Sequence, residues 1–405
     1  MTRRATRRDP DDAPESALRG WLAAGIVVLL IGAPLGLDSL GAVARSGDLP
    51  PSGADASTTE VTPSDRRPSA LPQAAAPSRD PTAVVRAIPD SIDSTGAADV
   101  TGELQAFLDS VPDGAIVEFA AGGRYRIEGT LRIIRRQGLV LDGRGATFFA
   151  TRQTIDPERA HWSVESSTNI WIHSMTVRGA HPEPGTYVEG FEWQHAIQIR
   201  GGSDIEIGPN VATTGNQGDG VYVADWADGV YIHDCTITWN GRMGVAVVAG
   251  RNVLVERCTL NNIAFSVFDI EPNPGNTPAE GAQGITFRGN LINGAVFSKF
   301  FAMGGYGAIT DVVVSQNVVD GASNGIAVDG RPLPGTPRRS NVSITDNIGE
   351  GVLRDVDAVM HFSRIDGLTV SGNRQAVAPG GIVFATGDDW NDVVITDNDC
   401  PGCAG

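Results

Sequence analysis

Five side chains able to move protons or hold charge lie in four short phrases of this chain. They are His195 in EWQHAIQI, Asp219 in NQGDGVYV, Arg242 in NGRMGVAVV, and Asp269 with Glu271 in FDIEP. Two carboxylates on either side of a glycosidic bond can cleave it, and a base beside a cation can act next to a sugar carboxylate. In the hydrolytic arrangement Glu271 or Asp269 is the general acid and Asp219 the base or nucleophile. His195 and Arg242 then position the sugar. Trp193, Gln194, Gln198, Arg200 and Tyr222 are the candidate substrate-binding groups. If the polymer is acidic, Arg200 and Arg242 offset its charge, and His195 or Tyr222 becomes the base of a lyase or epimerase. A structural role competes at each position, because Asp beside Gly at a tight corner commonly bonds the local backbone. Two acidic residues projecting from one strand gain nothing in packing, which favours function for Asp269 and Glu271.

These phrases converge only if the chain stacks them, and its repeats require stacking. Nine copies of one pattern, NIWIHSMTV, DIEIGPNVA, GVYIHDCTI, NVLVERCTL, GITFRGNLI, DVVVSQNVV, NVSITDNIG, GLTVSGNRQ and DVVITDNDC, begin at Ile170, Ile205, Val230, Val253, Ile285, Val312, Val342, Leu368 and Val393. A spacing of about 23 to 35 residues marks a stacked-repeat architecture. Within each copy apolar and polar residues alternate, as in a strand with one buried face. Five positions on come Met175, Asn210, Cys235, Cys258 and then Asn290, Asn317, Asn347, Asn373 and Asn398. Such a column can hydrogen-bond from rung to rung when repeats lie about 4.8 Å apart. A second apolar run follows each first one (AIQIRG, GVYVAD, GVAVVA, VFDIEP, GIAVDG, AVMHFS, GIVFAT). The fold class expected is therefore all-β: a right-handed parallel β-helix of about ten coils. Helical repeats are excluded because the apolar runs are short, β-branched and broken by Gly, Asn and Asp.

In that register His195 and Asp219 are neighbours about 5 Å apart, while Asp219 and Asp269 lie two coils, near 10 Å, apart. That distance favours an inverting hydrolase. Gln198, Tyr222, Ala246 and Asp269 form one external column, and Arg200, Ala224, Val248 and Glu271 the next. Two insertions, Ala180 to Trp193 and Pro272 to Gln283, flank this face. Asp329 and the pair Asp388-Asp389 read as solvated turn residues. His361 reads as an inward core histidine.

The chain has 405 residues, 50 of them Gly, and a net charge of −17. That charge argues against nucleic acid or an anionic membrane as a partner. The expected partner is a polysaccharide or cell-wall glycan, met by a monomer. Cys235 and Cys258 read as stacked buried thiols, and Cys400 and Cys403 can close a small loop after export. No cofactor is expected. Calcium is compatible with so many carboxylates, but no ligand loop is legible. Arg3, Arg4, Arg7, Arg8 and Arg19 precede an apolar stretch, Trp21 to Leu37, and Ala42-Val43-Ala44 follows. Residues 1–44 therefore read as a cytoplasmic head with a signal peptide or membrane anchor, 45–87 as a Pro/Ser/Ala-rich stalk, and 88–405 as the β-helix. This makes the protein extracytoplasmic, touching the membrane only through its N-terminal segment. Val100, Leu104, Phe107, Leu108 and Val111 carry helical spacing up to Pro112-Asp113-Gly114, a short helix that plugs the first coil.

The stretch STGAADVTGELQAFLDSVPDGAIVEFAAGGRYRIEGTLRI resembles the opening of the pectate-lyase-like β-helix superfamily, with AAGGRYRI as its turn-and-strand element. EWQHAIQI, GDGVYV and FDIEPN resemble exported bacterial β-helix proteins related to polygalacturonase-type glycosidases and pectate lyases. The resemblance implies the fold and a sugar-polymer context. It departs at the catalytic pattern: Met243-Gly244 stands where a paired Asp belongs, and no His-Gly or Arg-x-Lys match follows. A calcium site is likewise not identifiable, and FDIEP lacks the histidine of an alginate-lyase-type motif. Two classes remain, a polysaccharide hydrolase, lyase or epimerase and a non-catalytic surface module that binds glycan or a partner protein. Convergence of His195, Asp219, Arg242, Asp269 and Glu271 in one cleft distinguishes them.

Overall fold

A computed structural model of the chain describes residues 83–153, 159–273, 280–294, 299–320, 325–353 and 356–403. The expected export signal and nearly all of the expected stalk lie outside these residues. Among the described residues, no helix is long and apolar enough to cross a membrane.

Every copy of the repeat starts just after a residue in the left-handed backbone region. Those residues are Asn169, Asp204, Gly229, Asn252, Gly284, Asp311, Asn341, Gly367 and Asp392, with φ between 51° and 72°. Only Gly, Asn and Asp visit that region at low cost, which is why these three types recur there. One such residue turns a strand through a corner. A second left-handed residue five positions later, such as Ser174, Asp234 or Asp346, turns it again. Strands between corners pair only in parallel, each with its counterpart one coil before and after. The result is a right-handed parallel β-solenoid of about eleven turns.

Three faces run the length of the solenoid. The first contains Leu131–Ile134, Val221–Ala224, Val245–Val247, Ser266–Ile270, Lys299–Met303 and Val328–Gly330. The second carries the repeat copies themselves, and the third the strands after the second corner. Inward side chains form one continuous core, from Leu104 and Phe119 at one end to Leu368 and Val370 near the other.

The expected asparagine column is present from Asn290 onward. The Nδ2 of each residue donates to Oδ1 of the next, at 2.9, 2.9, 2.9 and 3.0 Å through Asn317, Asn347, Asn373 and Asn398. The backbone N–H of Cys258 starts the ladder on Asn290 Oδ1. Asn210 does not belong to it. Val211 pairs with Met175 and takes the inward place, so Asn210 is exposed at the corner. Cys235 and Cys258 are free buried thiols in that column, and Cys400 is bonded to Cys403.

The α-helix Thr101–Ser110 covers the first coil with Leu104 and Leu108. Its Gln105 side chain clasps the backbone of Arg132 through both N–H and C=O. Arg136 reaches the helix C-terminus at the carbonyls of Leu108 and Val111. The solenoid begins earlier than expected, since Val85–Ala87 pair with Ile116–Glu118, so the stalk does not extend to residue 87.

Candidate functional site

Register on the first face places Gln198 beside Tyr222, Tyr222 beside Ala246, and Ala246 beside Asp269. Arg200 lies beside Ala224 in the neighbouring column. Both columns are those expected from the repeats. Outward on this face does not mean solvated, however. Tyr222, Ala224, Met243, Ala246 and Val248 form a small apolar cluster on the outside of the coil, and Asp269 is only 4% exposed.

His195 and Asp219 are neighbours, both with no exposed surface. The Asp219 backbone N–H donates to His195 Nδ1 at 3.0 Å, which makes that nitrogen an acceptor and leaves the ring proton on Nε2. The 3.2 Å approach of Asp219 Oδ2 to the same nitrogen is therefore a packing distance rather than a second hydrogen bond. Nε2 is buried without a partner. This close approach depends on Gly218, where a Cβ would lie 2.3 Å from the Glu192 carbonyl oxygen and 2.9 Å from His195 Nδ1.

Asp219 accepts the Met243 N–H at 2.9 Å and an Arg242 N–H at 3.1 Å. Arg242 also donates to Glu271 at 2.9 Å, bridging the two carboxylates. Burial works to raise the Asp219 pKa, but the Arg242 charge and the Met243 N–H outweigh it and hold the carboxyl below its ordinary value. Asp269 is the opposite case. Burial pushes its pKa well above the carboxylate range, the Glu271 charge adds to this, and Arg242 offsets only part. Its Oδ2 has no hydrogen-bond partner. Glu271 retains 43% side-chain exposure.

Beside this network opens a cleft of about 350 Å³. Gln198 and Tyr222 form its floor and Trp193, 37% exposed, one wall. Asn273 and Glu280 come from the opposite insertion. The His195 ring stacks on Tyr222 with centroids 4.4 Å apart and planes at 8°, and Trp193 stands edge-on to both at about 6 Å. Burial raises the Tyr222 phenol pKa, which disfavours the phenolate that a base would need. Two ion pairs complete the lining, Arg132 with Glu165 and Arg200 with Asp225.

The ten expected residues thus divide. Trp193, Gln198, Arg200 and Tyr222 line the cleft. His195, Asp219, Arg242 and Glu271 form one bonded network, with Asp269 against it. Gln194 is buried and accepts from Arg159, so it faces away from the cleft. Asp219 has no exposed surface and its carboxylate is held by the Met243 and Arg242 N–H groups, so it cannot reach a glycan as base or nucleophile; it anchors Arg242 instead.

Asp329 is not a solvated turn residue. It sits in the strand Val328–Gly330 in the Asp269 column, two rungs on, bound to Arg331 at 2.7 Å. His361 pairs with Asp329 and so points outward, reaching Asp357 at 2.9 Å, while Met360 and Phe362 point in. In AVMHFS the adjacent apolar Val359 and Met360 conceal the phase.

Sequence reasoning missed Arg132, Glu165, Asp225 and Glu280. Extending the register one coil back would have found Glu165, which pairs with Arg200. It also missed a network on the second face. There His233 joins Glu206 at 2.9 Å and Asp234 at 2.7 Å, and stacks on Tyr231. Arg257 joins Asp234 to Glu256, and Arg288 also holds Glu256. Among the described residues, no group of three or more His, Cys, Asp or Glu side chains is arranged to hold a metal ion.

Residues 163–333 match the family model described as "Right handed beta helix region". Among solved structures, the chain is similar to a family 28 exopolygalacturonase of Yersinia enterocolitica, at 12% identity and a TM-score of 0.53 over 78% of each chain. It is also similar to an endo-xylogalacturonan hydrolase of Aspergillus tubingensis, at 12% identity and a TM-score of 0.50, covering 78% of this chain and all of that one. At such identity the likeness is one of fold. No curated protein matches the chain in sequence.

Proposed function

We propose that this protein hydrolyses a polysaccharide outside the cytoplasm, acting as a monomer at the first face. One observation carries the reading: Asp269 is enclosed, its pKa is raised well above its ordinary value by burial and by the Glu271 charge, and one of its oxygens is uncommitted. A carboxyl in that state is a proton donor for a leaving glycosidic oxygen. Glu271, partly exposed, is the carboxylate placed to activate water, with Arg242 fixing its direction. Two residues along an extended chain are about 6.6 Å apart. That is at the short end of the separation, roughly 6.5–9.5 Å, that accommodates a water and inverts the sugar. Trp193, Tyr222 and Gln198 hold the sugar rings. The names of the two solved structures above support glycan hydrolysis, and the basic-then-apolar N-terminal segment supports export. The mechanism calls on no cofactor.

A second reading, a module that binds glycan without cleaving it, is favoured by the enclosure of Asp269. Reducing-end release from a polysaccharide panel separates the two. Hydrolysis requires release by the unaltered chain and its loss in Asp269→Asn and in Glu271→Gln. Equal release by all three proteins would remove the proposal, and binding without release would establish the second reading.

A further inference from the structure

We infer that the cleft takes a neutral polysaccharide, not a polyuronate; the inference rests on this cleft being the glycan site proposed above. A polyuronate brings a carboxylate on every ring and needs cations free to meet it. The cleft lining holds two guanidiniums, and both are committed, Arg132 to Glu165 at 2.5 Å and Arg200 to Asp225 at 2.9 Å. The Asp225 carboxylate strengthens the proton affinity of Arg200 against its burial. Glu280 adds a third carboxylate, accepting the Asn273 N–H at 2.7 Å. Acids therefore outnumber bases in the lining, three to two. Arg242, in the network of the same face, is already shared between Asp219 and Glu271. A sugar carboxylate entering here would have to displace a resident one, and like charges at a contact select against a partner.

A neutral sugar meets a different surface. Tyr222, Gln198 and Asn273 line the cleft and carry polar groups of the kind that exchange hydrogen bonds with sugar hydroxyls. The exposed Trp193 ring offers an apolar platform for one face of a ring. The two ion pairs in the lining present further donors and acceptors with no net charge of their own.

Affinity electrophoresis of the full chain against soluble xylan, mannan, arabinogalactan and β-glucan, and against polygalacturonate and alginate, tests the inference. The expected result is retardation by at least one neutral polymer and affinity for either polyuronate at least about tenfold weaker. The double variant Glu165→Gln/Asp225→Asn frees both guanidiniums and is expected to gain about tenfold in polyuronate affinity, in a salt-sensitive manner. Tighter binding of a polyuronate by the unaltered chain overturns the inference. So does failure of every neutral polymer to bind, or a double variant that gains no polyuronate affinity. Reducing-end release measured on the same samples keeps the two readings apart. A neutral polymer that binds uncut supports the inference and removes hydrolysis; a polyuronate that is cut supports hydrolysis and removes the inference.

Discussion

Two faces of the coil project the same four kinds of side chain. On the first, His195 stacks on Tyr222 and Arg242 ties Asp219 to Glu271. On the second, His233 stacks on Tyr231 with centroids 4.1 Å apart and Arg257 ties Asp234 to Glu256. The difference lies in the balance. The second face adds Arg288 to Glu256, and both Asp234 and Glu256 sit below their ordinary pKa despite burial, through hydrogen bonds from His233, Tyr231 and the arginines. The first face has one acid more than its cation can serve, and the Asp269 pKa is raised well above its ordinary value. Similar parts make a structural clasp where every charge is met and a candidate active centre where one is not.

The sharpest way to break this comparison is Asp269→Asn. Turnover is expected to fall roughly 10²–10⁴-fold, as for loss of a general acid. Folding is expected to survive, because an amide replaces a carboxyl of the same shape. The sign of the pH effect follows from the raised pKa. Whatever Asp269 contributes to stability is present below its unfolded value, near 3.8, and is lost as pH rises through the folded value. Denaturation midpoints should therefore favour the variant increasingly as pH rises from about 3.8 towards the folded value, and a parallel pH course for both proteins would contradict the assignment.

Next in size is Arg242→Gln, which strands the enclosed Asp219 charge and should cost about 3–5 kcal/mol in urea unfolding. Its counterpart, Arg257→Gln, should cost at most about 1 kcal/mol. Asp234 is partly exposed and keeps His233, while Glu256 keeps Arg288. Equal losses in the two variants would erase the distinction drawn between the faces. The smallest effect expected is that of His233, whose pKa is raised by Glu206 and Asp234 against the opposing effect of burial. Its contribution is complete below the unfolded value of 6.5 and is lost as pH climbs through the folded one. A stability–pH curve for His233→Gln that lacks this decline would bear it out, and a curve superimposable on the unaltered protein's would refute it.

Legibility followed repetition. The first corner of each copy was readable because Asn, Asp and Gly adopt the left-handed backbone there at low cost, and the ladder was readable from Asn290 on because the same amide recurs. Asn210 misled because Pro209 and Asn210 displace the pattern by one residue, putting Val211 inward. The two external columns through Asp269 and Glu271 were readable for the same reason, since strand alternation fixes which residues share a side.

By itself, then, the sequence determined the coil, its register and the neighbours His195–Asp219 and Ala246–Asp269, since period and alternation are local properties of the chain. Only the tertiary structure decided which outward groups meet solvent, which carboxylate is sealed under Arg242, and which has its pKa raised. Those outcomes depend on what distant insertions and side chains cover and on the sum of charges around each group, and neither quantity is carried by any single stretch of residues.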